Sequence, residues 1–327
     1  MIKKAIISFG FFIFGLCLMA QESTQAFTLM KLPMSVHATA LGGENVSLIE
    51  NSPSLGWHNP ALLANIENKT AGLNFMTYAS GTKLFGAQYA QAFGTRHTFA
   101  AMVQYMNYGS MDETDVSGNV IGTFTPKDFT LGLGYSYLLS DRWSGGATLK
   151  FDYSRIAEYS ACALAVDLGL NYFNETNDFS MSLAMRNVGA PLKSYDDETQ
   201  RVPFNLQLGF TKGVAHLPVR VHVTMSDLTH WKKDYYYTDN KDGEVGVGAL
   251  ILNHFNLGLE VLPAKFMWIG VGYNFRRAYE LKAAGSGHWA GITAGLGFNI
   301  KSFSFGASYA KYHLSNASLM FNLAYGF

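Results

Sequence analysis

The chain has 327 residues, of which 24 are basic and 24 acidic, so its formal net charge at neutral pH is zero. Only 15% of the residues are charged, whereas 14% are aromatic and 33 are glycines. Because a basic excess is the electrostatic signature of nucleic-acid-binding proteins, the balanced charge argues against a nucleic acid as partner.

The amino-terminus predicts export. Lys3 and Lys4 precede an apolar run over residues 5–18, and Ala20 offers a small residue for cleavage. This is the composition of a secretory signal peptide, and the run is short for the ~20 residues that a bilayer-spanning helix needs. We therefore assign residues 1–20 to a cleaved signal peptide.

The cysteine content predicts neither disulfide bonds nor a metal site. Cys17 lies in the signal peptide, so Cys162 remains alone, and neither a disulfide framework nor a cysteine-based metal site is expected. No cofactor and no metal is predicted. After residue 20 the sequence has no run of 18 apolar residues, which excludes helical membrane spans.

Residues 21–70 are apolar without alternating. The segment contains Trp57-His58-Asn59-Pro60-Ala61-Leu62-Leu63, and proline keeps the preceding Asn59 extended, as in a turn or a helix start. It is too long and too apolar for a solvated leader. We predict that it folds as a plug into the mouth of the barrel formed by the following strands, with Trp57, Asn59, Pro60 and Ala61 as its central motif.

Residues 71–327 alternate between large apolar and small or polar side chains. In the segment 129–137, Phe, Leu and Tyr share one face while Thr, Gly and Ser share the other. A soluble β-sandwich gives the same alternation, but segments of about ten residues after a signal peptide favour a membrane barrel. The chain ends on the apolar-alternating segment 319–327 and the aromatic Phe327, which is typical of outer-membrane barrels. We predict the outer membrane of a Gram-negative bacterium.

Fifteen segments of the sequence alternate in this way, which is an odd number. Alternating segments lie near 71–78, 84–93, 97–108, 128–139, 145–156, 160–172, 179–188, 203–212, 216–226, 244–252, 254–262, 267–276, 289–299, 302–311 and 318–327. Bacterial barrels have even counts, short periplasmic turns and longer outer loops. Assigning 244–252 to an outer loop, where it can form a short helix, restores both rules. The fold class is thus an all-β transmembrane, antiparallel barrel of about 14 strands.

Charged residues fall on the face opposite to the lipid. Both signs occur among them, so they can pair with one another or line a polar path; mutual pairing is the simpler interpretation because buried charges must be paired or hydrated. The predicted lumen-facing polar residues are Lys150, Asp152, Asp167, Arg186, Arg220, Glu260 and Arg276.

The outer loops are where a partner would bind. The loop 227–243 holds an aromatic cluster of Trp231, Tyr235, Tyr236 and Tyr237, the residue types that dominate protein interfaces. An aromatic girdle at the lipid headgroups is the alternative for the tyrosines. The loop 189–202, with Tyr195, Asp196, Asp197 and Glu198, offers an acidic counterpart.

No catalytic motif supports an enzyme. The sequence has no Gly-x-Ser-x-Gly elbow, no His-Glu-x-x-His pair and no phosphate-binding loop. His222 and His254 are interpreted as a lumen residue and a strand-end residue. We therefore predict that the chain has no enzymatic activity.

The order of these features resembles a known family. A plug with Asn59-Pro60-Ala61 before the first strand is similar to the FadL-type outer-membrane proteins that take up hydrophobic compounds. More closely, the plug motif, the segment 254–260, and the segment 272–277 followed by Glu280-Leu281 resemble the PorQ and PorV family of the type IX secretion system. The resemblance spans nearly the whole mature chain.

That resemblance implies a function and partners. Such proteins are expected to belong to an attachment complex with PorV, the PorU sortase and a PorZ-like surface protein, in which cargo is linked to anionic lipopolysaccharide. The chain would anchor the PorZ-like protein at the outer membrane and contact outer-membrane lipid. The alternative is a FadL-like transporter of hydrophobic small molecules.

Overall fold

The computed structural model describes residues 27–195, 200–238, 243–285, 287–314 and 316–327. The predicted signal peptide, residues 21–26 of the predicted plug, and Asp196, Asp197 and Glu198 lie outside the described residues. The strands are β1 (Lys69–Thr77), β2 (Lys83–Phe93), β3 (His97–Asn107), β4 (Met111–Thr114), β5 (Val120–Phe124), β6 (Lys127–Ser140), β7 (Trp143–Ile156), β8 (Tyr159–Asn174), β9 (Phe179–Lys193), β10 (Asn205–Gly213), β11 (Val219–Met225), β12 (Phe255–Ala264), β13 (Met267–Asn274), β14 (Ile292–Ile300), β15 (Phe303–Ala310) and β16 (Ser318–Gly326).

The helices are short. Within the described ranges, the α-helices are α1 (Val36–Ala40), α2 (Val247–Leu252) and α3 (Phe275–Ala283). None of the described helices is long and apolar enough to cross a membrane. Short stretches of 3-10 helix cover Thr28–Lys31, Pro53–Trp57, Pro60–Asn65, Ala79–Gly81, Glu175–Asn177 and His288–Gly291.

A closed antiparallel barrel contains all of these strands except β4 and β5. Its fourteen strands follow chain order, and β16 closes the cylinder by pairing with β1, with Leu323 opposite Leu73 and Phe321 opposite Phe75. Closure leaves no free sheet edge, as a span through lipid requires. The predicted fold class of an all-β barrel with about 14 strands is confirmed.

The two faces of the wall differ as the alternation predicts. On β6, Leu131 and Leu133 point outward and are exposed, whereas Thr130 and Ser136 point inward and are fully buried. The same change of environment runs along β7, where Leu149 is exposed and the neighbouring Lys150 is buried. The outer face is therefore suited to lipid and the inner face to a polar, filled interior.

Long connections gather at one end of the barrel. The segments 194–204, 226–254, 275–291 and 311–317 join strands there, and β3 and β6 continue beyond the rim into the hairpin of β4 and β5. The opposite end has the short turns and the carboxy-terminus. In outer-membrane barrels the long connections face the cell exterior, and we name this end the outer end.

The assignment of 244–252 to an outer connection and not to a strand is confirmed, because part of that segment forms α2. The predicted strand 267–276 is too long. The side chain of Asn274 accepts a hydrogen bond of 2.8 Å from the amide of Arg277 and so caps α3, which ends β13. Arg276 consequently lies on a helix of an outer connection, and its assignment to a strand was wrong. Likewise, β9 runs to Lys193, so the predicted loop 189–202 is shorter than expected.

The lipid-facing side of the barrel wall can be tested by introducing a charge. Leu133→Arg places a charge at mid-strand on the lipid side and should destabilise the barrel by about 2–4 kcal/mol. The measurement is the shift of the unfolding midpoint in urea after reconstitution into lipid vesicles. Val116→Arg, at the exposed tip of the outer hairpin, is the control and should change nothing measurable. Equal losses in both variants would mean that Leu133 does not face lipid.

Candidate functional site: the filled lumen and the outer end

The described N-terminal segment, residues 27–68, packs against the inward-facing side chains of the barrel. Residues 53–65 contact β1, β2, β3, β6, β7 and β8, while α1 contacts β13, β14, β15 and β16 on the far side. Most of its apolar side chains are fully buried, and the largest of them is Trp57. The segment thus occupies the interior between opposite walls. That it closes the pore to solutes stays a prediction.

The Asn-Pro-Ala turn is fixed at both ends. Asn59 has an extended backbone, its side-chain oxygen accepts from the amide of Ala61 at 3.0 Å, and its side-chain nitrogen donates to the carbonyl of Val46 at 3.0 Å. The carbonyl of Ala61 accepts from the hydroxyls of Ser136 and Ser144 on the wall. The turn therefore ties two parts of the segment to β6 and β7.

Glycines of the wall make room for this turn. A Cβ atom at Gly146 would lie 2.5 Å from the carbonyl carbon of Pro60, and one at Gly169 would lie 1.9 Å from the side-chain oxygen of Asn59. Real Cβ atoms do not come so close, so these positions of β7 and β8 accept only glycine while the turn is in place. Glycine inside a strand is a known signal of close backbone approach, and it could have located this contact from the sequence.

Trp57 sits over the wall next to a buried ion pair. Its ring lies 5.5 Å from the ammonium nitrogen of Lys150. That nitrogen is 2.5 Å from a carboxylate oxygen of Asp167 and donates to the side-chain oxygen of Asn187 at 2.9 Å. Lys150 and Asp167 are almost completely buried, so each needs the other as a counter-charge.

A bulge in β9 places two consecutive residues inward. The pairing of β8 with β9 shifts register between Val166 and Leu168, and Asn187 adopts a left-handed backbone with φ of 57°. Asparagine tolerates that conformation better than most residues. As a result Arg186 and Asn187 both point into the lumen, and the amide of Asn187 donates to Asp167 at 2.7 Å.

Glu260 joins the wall to α1. Its carboxylate lies 3.2 Å from Nε2 of His37, 3.3 Å from Nε2 of His222 and 3.8 Å from a guanidinium nitrogen of Arg220. Arg220 also pairs with Asp178 at 2.7 Å. His37 further contacts Glu50 at 2.8 Å and stacks on the ring of Trp268 with centroids 3.8 Å apart.

The remaining predicted lumen residues have other surroundings. Asp152 accepts a hydrogen bond from the hydroxyl of Thr130. Arg276, on α3, contacts Asp227 and pairs with Glu280 at 3.0 Å. Within the predicted set, the opposite charges in contact are Lys150–Asp167 and Arg220–Glu260, whereas Arg186 and Arg276 meet carboxylates from outside the set. Sequence reasoning missed His37, Glu44, Asp178, Asp227 and Glu280, because they belong to the N-terminal segment, a turn or outer connections, where strand periodicity gives no signal.

Burial and charge set the protonation of His37. Burial opposes its charge, but the carboxylates of Glu50 and Glu260 outweigh this and raise the pKa of His37 to about 9. The imidazolium is therefore present at neutral pH, and it holds α1 between two carboxylates.

The raised pKa of His37 predicts that the region around α1 becomes less stable at alkaline pH. A folded pKa above the ordinary 6.5 means that the stabilisation by His37 is complete below about pH 6.5 and is lost as the pH rises through about 9. Deuterium exchange of peptides within residues 33–50, corrected for intrinsic rates, should accelerate over that range in the wild type. His37→Gln, which carries no titrating group, should remove this pH dependence; an unchanged profile would contradict the assignment.

Two cavities open at the ends of the filled lumen. One has a volume of about 370 Å³ at the short-turn end and borders His37, Glu50, Lys69 and Phe327. The other has a volume of about 290 Å³ at the outer end, where Glu44, Arg186, Asp227, Arg276 and Arg277 contribute to its wall. Both are lined in large part by polar and charged groups, and we name the second the outer-end cavity.

The aromatic cluster predicted in the loop 227–243 divides into buried and exposed members. Tyr236 is buried, packs with Val245 and Leu250, and its ring lies 5.0 Å from the guanidinium carbon of Arg276. Tyr235 packs at the edge of this group. Trp231 and Tyr237 are 48% and 59% exposed. A direct contact with a partner is thus open to Trp231 and Tyr237, whereas Tyr236 has a packing role. Asp239 lies outside the described residues.

The chain matches known proteins by its three-dimensional structure and not by its sequence. No protein-family model matches the chain, and no curated protein matches its sequence. It is similar to the toluene transporter TodX of Pseudomonas putida, with 12% identity, a TM-score of 0.54, and coverage of 92% of this chain and 98% of TodX. A FadL homologue of Pseudomonas aeruginosa has 11% identity, a TM-score of 0.51, and coverage of 89% and 97%. The CymD monoaromatic hydrocarbon channel has 12% identity, a TM-score of 0.50, and coverage of 92% and 98%. The chain therefore has the fold of FadL-like outer-membrane barrels.

Proposed function

We propose that the chain is a non-enzymatic anchor in the outer membrane, which keeps a surface protein at the cell exterior. The observation that carries the proposal is the interior: the described N-terminal segment packs against opposite walls, and the buried charges of Lys150 and Asp167 are paired there. We infer that a barrel whose interior is packed in this way serves as a support for a partner. We also propose that residues 1–20 are removed as a signal peptide.

The partner class comes from the sequence resemblance. The order of the plug motif and the segments 254–260 and 272–277 is similar to that of the PorQ and PorV family, which supports an attachment complex with PorV, the PorU sortase and a PorZ-like protein. The outer connections suit such a role, since Trp231 is held in one orientation. Its indole stacks on His254 at 4.0 Å and donates to the carbonyl of Leu228 at 2.8 Å. A preorganised aromatic side chain loses little entropy on binding.

An interface variant tests this surface. Trp231→Ala together with Tyr237→Ala should leave the barrel folded but reduce recovery of the surface partner in a mild-detergent pull-down by tenfold or more, as loss of about 2 kcal/mol at an interface hot spot does. Trp289→Ala, in another outer connection with an exposed indole, is the control. Equal recovery of the partner with the wild type, the double variant and Trp289→Ala would mean that the docking surface lies elsewhere.

A second candidate function is the transport of small hydrophobic molecules. The observation that favours it is the fold likeness over nearly the whole chain to proteins described as a toluene transporter and a monoaromatic hydrocarbon channel. On the fold comparison alone this candidate is better supported than the anchor. It requires a path past the N-terminal segment, so it predicts that hydrocarbon uptake into whole cells falls when the chain is deleted.

A further inference from the structure

Three arginines and three carboxylates line the outer-end cavity, and the carboxylates are shared unevenly. Arg276 is neutralised by Asp227 and Glu280. The two other arginines of the cavity, Arg186 and Arg277, have one carboxylate nearby, that of Glu44.

That carboxylate holds Arg186 loosely. The distance from Glu44 to Nη1 of Arg186 is 3.7 Å, and the side-chain amide of Gln207 donates to the same carboxylate oxygen. Nη2 of Arg186 donates to the carbonyl of Met30 at 3.2 Å, whereas Nε has no hydrogen-bond partner among the described residues. The side chain of Arg186 is only 4% exposed. An almost completely buried guanidinium with a free donor is costly unless a ligand or a water molecule supplies the acceptor, so this donor is available to a ligand.

Arg277 lines the same cavity, and its position is set in part by the N-terminal segment. Its guanidinium lies 4.2 Å over the ring of Tyr312. Gly43 has φ of +93°, and a Cβ atom there would lie 2.8 Å from Nη2 of Arg277, so the glycine gives the guanidinium its space. Nη1 of Arg277 is buried and has no hydrogen-bond partner in the described part of the chain.

We propose that Arg186 and Arg277 together bind the phosphate group of an anionic ligand in the outer-end cavity. A phosphate group carries more charge than a carboxylate and offers oxygens in several directions, so it can accept from two guanidinium groups at once. Leu32, Phe204 and Leu281 line the same cavity and provide apolar surface for the organic part of the ligand. A phosphate-bearing surface lipid and a free phosphate ester share this chemistry.

This site is independent of the anchor role, and its test uses the full-length barrel in detergent. Equilibrium dialysis with labelled inorganic phosphate should show saturable binding at one site per barrel. Arg277→Gln and Arg186→Gln should each weaken it by roughly tenfold or more, as loss of a hydrogen bond to a charged group does. Arg155→Gln is the control, because this exposed arginine at the outer end donates to the carbonyl of Ala157, away from the cavity.

Further measurements keep the test decisive. If Arg186→Gln does not fold, Arg277→Gln and the wild-type protein suffice: phosphate should raise the unfolding temperature of the wild type more than chloride at equal ionic strength. Native mass spectrometry of barrel isolated from its own membrane distinguishes the sources, since a retained phospholipid or lipopolysaccharide fragment indicates the lipid. Absence of saturable phosphate binding, equal binding by Arg277→Gln, or equal affinity for acetate would overturn the proposal.

Discussion

Replacing Asp167 by asparagine is expected to destabilise the barrel by about 3–5 kcal/mol, because it leaves a buried ammonium group without its counter-charge. In the wild type, Lys150 and Asp167 are 2.5 Å apart and 1% and 0% exposed. The asparagine can still accept a hydrogen bond, but it supplies no negative charge. The measurement is the unfolding midpoint in urea of the protein refolded into lipid vesicles, followed by the gel shift between folded and heated barrel.

Two matched variants make this prediction specific. Glu175→Gln removes a carboxylate from an exposed turn and should cost almost nothing. The double variant Lys150→Met with Asp167→Leu replaces both charges by apolar groups, and should recover much of the loss since buried ion pairs are often replaceable in this way. A single variant as stable as the wild type would show that Lys150 is hydrated or paired elsewhere.

Gly146→Ala should displace the Asn-Pro-Ala turn from the inner wall and loosen the N-terminal segment. The new Cβ atom would meet backbone atoms of Pro60 and Ala61 at 2.5–2.7 Å, and backbone cannot move aside as a flexible side chain can. Overpacking of this kind typically costs about 1–3 kcal/mol, occasionally more. We expect faster proteolysis of residues 27–68 and measurable conductance in planar bilayers, where the wild type should stay closed. Pro60→Gly, which frees the backbone of the same turn, should act in the same direction.

The control is the same change where space is free. Gly248 lies in α2, and no atom beyond its chain neighbours and its own helix backbone lies within 4 Å of the place that a new methyl group would take, so Gly248→Ala should leave both readouts at the wild-type level. A closed pore and an unchanged digestion pattern in Gly146→Ala would mean that the turn at Asn59 is not what seats the segment.

The barrel was predictable because lipid imposes a strict pattern on its wall. Leu131 and Leu133 face outward and Thr130 faces the interior. Apolar and polar side chains therefore alternate along each strand with a period of two residues, which is visible in the sequence. The even strand count and the placement of loops followed from closure and from the short turns at one end. The same rules identified the segment 244–252 as something other than a strand, and it contains α2.

The interior was less predictable, since its partners are distant in sequence. The strand residues Lys150 and Glu260 could be assigned to the lumen, but periodicity does not show that Glu260 meets His37 of α1. The bulge at Asn187 breaks the alternation and turns an additional residue inward. Arg276 was misplaced because the Asn274 cap, a local hydrogen bond, ended the strand early.

Deletion of the chain from its own cell tests the central claim most directly, with cargo attachment and hydrocarbon uptake measured on the same cultures. The anchor account predicts that a surface partner and unattached secreted cargo appear in the medium, while uptake of long-chain and monoaromatic compounds is unchanged. Cargo that stays attached, together with lost growth on a hydrophobic carbon source, would contradict the account and establish the transporter.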